Sequence, residues 1–152
     1  MSRRVLLIGR SGSGKTSLIL RLQEEALQAK KTQAAEYYSD FIDVPGEYLE
    51  VRSYYRALIV LACEACAIAL IQAADDFESL YPSGLARTFT KPVIGVVTKT
   101  DLAPADPEQA KGILRQAGAG QIFLTSSFSG DGMDGLKRYL NGMRIRGGDY
   151  RG

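Results

Sequence analysis

Short runs of apolar residues alternate along the chain with longer segments in which apolar positions recur at helical spacing. The run Arg4–Ile8 is rich in branched residues, which is typical of a buried β-strand. In Thr16–Leu27, by contrast, Leu18, Leu22 and Ala26 fall on one face of a helix. The chain therefore begins with a predicted strand that is followed by an amphipathic helix.

The same pattern continues to the end of the sequence. Further strands are predicted at Ala34–Tyr38, Phe41–Val44, Ala67–Ile71, Val93–Val97 and Gln121–Leu124, and further helices at Val51–Cys63, Glu108–Ala117 and Gly132–Met143. Alternating strands and helices predict a mostly parallel sheet that is covered by helices on both faces. We therefore expect a single α/β domain over residues 1–143.

Residues 144–152 read RIRGGDYRG, which is a change in composition from the predicted domain. Three Arg and three Gly in nine positions predict a basic, glycine-rich, disordered tail. Such a tail could contact an acidic partner or a membrane surface.

Composition narrows the classes of function. The formal net charge is only +2, which argues against a nucleic-acid-binding protein recognised by bulk charge. The chain has no histidine, so Ser-His-Asp triads and His-ligated zinc sites are excluded. No run of residues approaches the length and apolarity of a membrane span or a signal peptide, so we expect a cytoplasmic protein.

The turn between the first strand and the first helix matches the phosphate-binding pattern G-x-x-x-x-G-K-[ST]. Backbone N–H groups of such a loop converge on phosphate oxygens, and the following helix adds its positive end. Lys15 is expected to reach the β- and γ-phosphates, and the Thr16 hydroxyl to ligate Mg²⁺. The candidate phosphate-binding residues are Gly9, Arg10, Ser11, Gly12, Ser13, Gly14, Lys15, Thr16 and Ser17.

A D-x-x-G pattern, Asp43-Val44-Pro45-Gly46, comes directly after Phe41 and Ile42 of the predicted second strand. Asp43 can hold the Mg²⁺ shell, and the Gly46 N–H can meet the γ-phosphate. Because carboxyl ends of parallel strands meet at one edge of the sheet, this pattern is expected beside the phosphate loop.

Two further loops indicate which base is bound. Thr98-Lys99-Thr100-Asp101 and then Leu102 follow one strand, and Ser126-Ser127 follow the next. The Asp101 carboxylate can accept from the two parallel donors of guanine, a pair that adenine lacks. Lys99 would lie along the base, and the backbone of Ser126 and Ser127 would contact the base carbonyl. The sequence therefore predicts a GTP/GDP site with Mg²⁺.

This set of motifs resembles the small GTPase superfamily. The stretches Lys30–Ala34 (KKTQA) and Ile42–Tyr48 (IDVPGEY) are similar to a narrower family, the ethanolamine-utilisation protein P and propanediol-utilisation protein V of bacterial microcompartment operons. The resemblance implies a P-loop domain of Ras-like strand order, and microcompartment shell or enzyme proteins as partners. It also implies that Thr32 is the switch residue that closes on Mg²⁺ and the γ-phosphate. Only eleven positions separate Thr32 from Asp43, so we expect a shortened edge region.

Lys15, Thr32 and Glu47 are the candidate catalytic residues. Glu47 stands where Ras-like enzymes place a water-positioning Gln, and an ionised carboxylate there would be repelled by the γ-phosphate. Hydrolysis is therefore expected to be slow. An arginine supplied by the chain itself, Arg10, Arg52 or Arg56, is conceivable.

A second interpretation stays open, in which the same loop serves a kinase that phosphorylates a small carboxylate such as acetate. An acceptor pocket of this kind needs a cation beside the γ-phosphate. Arg52, Arg56 and Arg87 are the candidates, and none belongs to a defining motif.

Overall fold

The computed structural model describes residues 4–10, 12–29, 41–103 and 105–149. The predicted strand Ala34–Tyr38 and the candidate site residues Ser11 and Thr32 lie outside these ranges. The strands are β1 (Val5–Gly9), β2 (Phe41–Pro45), β3 (Ala67–Ala73), β4 (Val93–Thr98) and β5 (Ile122–Leu124). The helices are α1 (Lys15–Ala29), α2 (Glu47–Glu50), α3 (Arg52–Cys63), α4 (Pro107–Gln116) and α5 (Met133–Asp149).

The described strands form one parallel sheet in the order β2-β1-β3-β4-β5. Register places Gly9 opposite Pro45, and Ala73 opposite Thr98. The carboxyl ends of β1, β2 and β4, which carry the candidate motifs, therefore meet at one edge of the sheet. The predicted α/β architecture with a mostly parallel sheet is confirmed.

The two faces of the sheet pack against different helices, because successive side chains of each strand point to opposite faces. On one face, Val5 and Leu7 of β1 pack with apolar residues of α1 and α5, including Leu18 and Leu136. On the other face, Leu6 and Ile8 pack with apolar residues of α3 and α4. All five residues of β1 are buried, so the strand that leads into the phosphate loop is fixed from both sides.

The connection from β3 to β4 carries only a short 3-10 helix, Leu85–Thr88, where a parallel crossover usually has an α-helix. Tyr81, Leu85 and Phe89 cover the sheet there instead. The Tyr81 hydroxyl oxygen lies 3.0 Å from the backbone carbonyl oxygen of Ile8 and 2.5 Å from that of Ile71, and these two acceptors share its single proton. Burial raises the pKa of Tyr81 well above its usual range, so this side chain is a neutral donor between β1 and β3.

The described structure has two features that the sequence pattern does not predict, whereas the predicted helix over Val51–Cys63 is confirmed as α3. Residues 144–149 were expected in a disordered tail, but α5 continues to Asp149. Met133, Leu136 and Leu140 anchor the first turns of α5 on the sheet, and extending an existing helix costs less than starting one. The helix expected over Val51–Cys63 is preceded by the separate turn α2. None of the helices in the described ranges combines the length and apolarity that a bilayer crossing requires.

Candidate functional site

A cavity of about 590 Å³ opens at the carboxyl edge of the sheet, between the ends of β1 and β2 and the start of α1. It is lined by residues of the phosphate loop, of the D-x-x-G segment and of three other segments. These residues are Arg10, Gly12, Gly14, Lys15, Thr16, Ser17, Asp43, Gly46, Glu50, Leu80 and Lys99. The structure thus brings two separate sequence motifs and Lys99 around one space.

The phosphate loop depends on two glycines with left-handed backbone. Gly12 has a φ of 84° and Gly14 a φ of 95°, values that other residues rarely adopt. A β-carbon at Gly14 would also lie only 3.3 Å from the hydroxyl of Thr98. The loop closes with a hydrogen bond of 3.0 Å from Ser13 N to Arg10 O before α1 begins. Gly9 ends β1, and Ser13 is buried.

Lys15 is buried with its ammonium group at the end of the cavity. The Nζ atom donates to the carbonyl oxygens of Gly9 at 2.8 Å and Val44 at 2.9 Å. It also lies 3.1 Å from Oδ1 of Asp43. A cation is therefore fixed where β1 and β2 end, and it links the two predicted phosphate-binding motifs.

Thr16 and Asp43 are the described members of the predicted magnesium set. Both line the cavity, and their hydroxyl and carboxylate oxygens are the donor types that Mg²⁺ prefers. Asp43 is 43% exposed, so its second oxygen can be reached from the cavity. The two residues fit a magnesium ion that shares its remaining ligands with phosphate oxygens and water.

Gly46 allows an unusually close approach of β2 to the phosphate loop. A β-carbon there would lie 2.8 Å from Arg10 Cα, and 2.9 Å from both Gly9 O and a methyl group of Leu80. Only glycine leaves room for this packing. The backbone after Asp43 is thereby placed against the loop, as the D-x-x-G pattern predicts.

The end of β4 is tied to the phosphate loop by two consecutive side chains. The Thr98 hydroxyl donates to the carbonyl of Ser13, and Lys99 Nζ donates to the carbonyl of Gly12 at 2.5 Å. Lys99 has a φ of 61°, which is uncommon for a residue with a side chain. These contacts hold Lys99 across the space between the loop and the candidate base site.

The candidate base site lies beyond Lys99 and does not line the cavity. There, the buried Ser126 hydroxyl donates to Asp101 Oδ1 at 2.6 Å, and the backbone N–H of Ser129 donates to the same Ser126 oxygen at 3.1 Å. Among the described residues, none donates a hydrogen bond to the other Asp101 oxygen. Ser126 therefore orients this carboxylate and leaves one of its oxygens open.

Neighbouring contacts hold the two base-site loops together. Thr100 N and its hydroxyl both donate to Thr125 O, at 3.3 and 3.1 Å. Arg21 of α1 donates to the carbonyl of Ser127 at 2.8 Å, while the Ser127 hydroxyl is buried without a partner in the described structure. Leu102, whose N–H donates to Lys99 O, is exposed.

Sequence reasoning missed two residues that line the cavity, Glu50 and Leu80. Glu50 lies in the unpredicted turn α2, and Leu80 lies in the irregular crossover, so neither had a periodic signal. Of the arginines considered earlier, Arg10 lines the cavity, whereas Arg56 and Arg87 do not. Glu47 is the first residue of α2.

Comparison with known proteins identifies the family of this chain. A family model described as ethanolamine utilisation and propanediol utilisation matches residues 2–142. The propanediol utilization protein PduV of Citrobacter freundii is 45% identical over 140 residues, which are 91% of this chain and 93% of that protein. A protein named probable acetate kinase EutP, from Salmonella typhimurium, is 37% identical over 119 residues, 76% of this chain and 74% of that protein. Its Escherichia coli namesake is 33% identical over 141 residues, 91% and 89% of the two chains.

Among solved structures, translation elongation factor SelB from Methanococcus maripaludis in its apo form matches with a TM-score of 0.57 at 20% identity. The match covers 95% of this chain and 34% of SelB, so the chain spans about a third of that factor's length. At this identity the likeness shows the fold alone. The family match and the PduV and EutP relatives show that the chain belongs to the ethanolamine-utilisation and propanediol-utilisation family, PduV-EutP.

Proposed function

We propose that this protein binds GTP and GDP with Mg²⁺ and hydrolyses GTP slowly, in the service of a bacterial metabolic microcompartment of the ethanolamine- or propanediol-utilisation type. The observation that carries the proposal is the cavity where Lys15, Asp43 and Gly46 converge on the phosphate loop. The proposed partners are a guanine nucleotide and microcompartment shell or enzyme proteins. The proposed location is cytoplasmic, in association with the microcompartment.

The part of the cavity beside the phosphate loop supports binding of a triphosphate. Lys15 supplies a buried cation and the loop after β1 supplies backbone donors, so the β- and γ-phosphates are the groups that this end suits. With Thr16 and Asp43 as ligands, a bound magnesium ion would offset the charge that develops on the phosphates. Lys15 must exchange one of its three present partners for a phosphate oxygen.

The contacts in the candidate base site support recognition of guanine. Asp101 is oriented by Ser126 and keeps one oxygen open, so it can accept from guanine while Ser126 stays in place. Opposite adenine, which has no donor pair at this position, the carboxylate would lose its partners at a cost of about 1–3 kcal/mol. Lys99, held on the phosphate loop, would flank the base with its aliphatic stem.

Slow hydrolysis follows from the position of Glu47 after the D-x-x-G segment. A carboxylate there does not replace a Gln that orients water, and Ras-like domains without a supplied arginine turn over at about 10⁻⁴ per second. A protein with these properties acts as a switch whose hydrolysis waits for a partner.

A second candidate function is phosphoryl transfer to a small carboxylate. The Salmonella typhimurium and Escherichia coli relatives carry the name probable acetate kinase, and Arg10 places a cation on the cavity wall. The same phosphate loop would then deliver the γ-phosphate to an acceptor instead of water.

The test is calorimetric titration with GTP, GDP and ATP, with and without Mg²⁺, followed by release and transfer of labelled γ-phosphate. We expect GTP and GDP to bind at least tenfold more tightly than ATP, about 1.4 kcal/mol. Equal affinities for GTP and ATP would overturn the guanine assignment. Acyl phosphate formed at many turnovers per second would favour the kinase over the switch.

A further inference from the structure

Arg10 and Leu80 form a mixed charged and apolar surface at the phosphate end of the cavity. Both residues lie against Gly46, because a β-carbon added to Gly46 would come within 2.8 Å of Arg10 Cα and 2.9 Å of Leu80 Cδ2. Both also line the same cavity as Lys15 and Asp43. This surface, here called the Arg10–Leu80 wall, therefore lies where the Gly46 segment would meet a γ-phosphate.

The guanidinium of Arg10 is held along one edge and open along the other. Its Nε donates to Asp76 Oδ2 at 2.9 Å, and Nη2 donates to the carbonyl of Glu78 at 3.5 Å. No residue in the described ranges accepts a hydrogen bond from Nη1. With 37% of the side chain exposed, the edge formed by Nη1 and Nη2 can take a planar anion. A guanidinium edge matches a carboxylate with two parallel hydrogen bonds.

The segment that carries Asp76 and Leu80 is anchored on the sheet, so the wall has a fixed shape. Buried Gln72 of β3 donates to the carbonyl oxygens of Asp76 at 2.8 Å and of Glu78 at 3.2 Å. The Glu78 N–H donates to Asp76 Oδ1 at 3.1 Å, and Tyr81 is bonded to β1 and β3. Asp76 is thus a positioning residue that sets the direction of the Arg10 guanidinium.

We propose that the Arg10–Leu80 wall is the acceptor site for a short aliphatic monocarboxylate, with the carboxylate on the outer edge of Arg10 and the alkyl chain on Leu80. The proposal rests on the nucleotide site proposed above and specifies its kinase branch. Glu50 lines the same cavity, and its carboxylate disfavours an acceptor that carries a second negative charge. The site therefore selects monocarboxylates over dicarboxylates.

The transfer step balances without any further reactant. One oxygen of the ionised carboxylate forms a bond to the γ-phosphorus, and the bond between that phosphorus and the β,γ-bridging oxygen breaks. The electron pair of the broken bond stays on the β-phosphate of the departing nucleoside diphosphate. The products are an acyl phosphate and the diphosphate, and no proton is transferred.

The experiment measures acyl phosphate, trapped as the hydroxamate, with acetate, propionate, butyrate and succinate as acceptors and with GTP or ATP as donor. Nucleotide dissociation constants are measured on the same preparations. The variants are Arg10→Lys, which keeps the charge but loses the planar edge, and Leu80→Ala, which shortens the apolar wall. Arg115→Lys, on the exposed side of α4, is the matched control.

For the parent protein and the control we expect acyl phosphate from acetate and propionate, and at least tenfold less from succinate. For Arg10→Lys we expect the KM for acetate to rise at least tenfold more than the nucleotide dissociation constant. For Leu80→Ala we expect the ratio of kcat/KM for butyrate over acetate to rise at least fivefold.

The outcomes separate this inference from the proposed function. Guanine nucleotide binding without acyl phosphate from any acid overturns the acceptor site and leaves the switch. Acyl phosphate with an unchanged acetate KM in Arg10→Lys also overturns the assignment. Acyl phosphate made from ATP alone supports the acceptor site and overturns the guanine assignment. A protein that binds neither nucleotide overturns both proposals.

Discussion

The Nζ atom of Lys15 lies 3.1 Å from Oδ1 of Asp43, so the cation of the phosphate loop is paired with the carboxylate of the neighbouring strand. Lys15 is almost fully buried at this position, whereas Asp43 is half exposed. A nucleotide with Mg²⁺ would take a partner from each residue, Lys15 turning toward phosphate and Asp43 toward the metal. The pair keeps the buried ammonium compensated until a phosphate replaces the carboxylate.

Replacing Lys15 by alanine is expected to weaken GDP binding at least a hundredfold, about 2.7 kcal/mol. The variant removes the cation that faces the β- and γ-phosphates. Titration calorimetry with GDP and Mg²⁺ measures the loss. Lys111→Ala on α4, where Lys111 lies 3.5 Å from Glu108, is the control. Parent-like binding by Lys15→Ala would mean that the loop is not the site.

Replacing Thr16 by alanine is expected to abolish the tightening of GTP binding by Mg²⁺, because the hydroxyl ligand is lost. Thr16→Ser keeps that hydroxyl and is expected to restore the tightening. The measurement is the ratio of GTP dissociation constants with Mg²⁺ and with a chelator. If this ratio is the same in the parent and in Thr16→Ala, Thr16 is not a magnesium ligand.

Replacing Asp101 by asparagine is expected to weaken GTP at least tenfold and to favour xanthosine triphosphate, because the amide offers a donor where the carboxylate accepts. Ser126→Ala removes the 2.6 Å hydrogen bond that orients Asp101 and is expected to weaken GTP without favouring xanthosine. Competition with both nucleotides distinguishes the two variants. An unaltered preference for GTP in Asp101→Asn contradicts the base assignment.

Replacing Glu47 by glutamine is expected to keep or raise the slow rate of GTP hydrolysis, since a negative charge near the γ-phosphate is removed. The parent domain is expected to release less than ~1 phosphate per minute without a partner, as other cores lacking a supplied arginine are slow. Labelled γ-phosphate release is the measurement. A Glu47→Gln variant without activity would instead make Glu47 a required group.

Tyr81 makes the stability of the fold sensitive to alkaline pH. Because burial raises its pKa, the folded state keeps the neutral hydroxyl, whereas the unfolded chain ionises near pH 10. The stabilisation is therefore complete below about pH 10 and falls as pH rises above it. Tyr81→Phe is expected to cost about 1 kcal/mol at neutral pH, because the hydroxyl proton that faces the two carbonyl oxygens is lost.

The test is the free energy of unfolding in urea, measured near neutral pH and again at a pH above about 10. Tyr81→Phe should lose less stability between the two conditions than the parent protein does. Tyr54→Phe, on an exposed ring that packs on Tyr48, serves as the control. An identical alkaline loss in the parent and in Tyr81→Phe would assign the effect to other groups.

The strands and the larger helices could be predicted because the spacing of their apolar residues follows from which side chains are buried. Val5–Gly9 is buried on both faces of the sheet, and the sequence shows it as an unbroken apolar run. Motif spacing also located Lys15, Asp43 and Gly46, whose convergence the structure describes. Whether these residues bind GTP stays a prediction.

What could not be predicted depends on contacts between distant segments. Leu80 reaches the cavity because the β3–β4 crossover is irregular, and Gln72 is buried because it holds that crossover by its carbonyl groups. The pairing of Arg10 with Asp76 joins residues 66 positions apart, and no local pattern marks it. The continuation of α5 past residue 143 has no local signal, because the glycine and arginine content of this segment is typical of irregular structure.

The contacts of Thr98 and Lys99 with the phosphate loop have a kinetic consequence. Because consecutive side chains at the end of β4 donate to the carbonyl groups of Ser13 and Gly12, we expect the candidate base site and the phosphate loop to open together. A nucleotide held at both ends would have to leave in one concerted event. We therefore expect these two side chains to affect the residence time of a bound nucleotide more than its affinity.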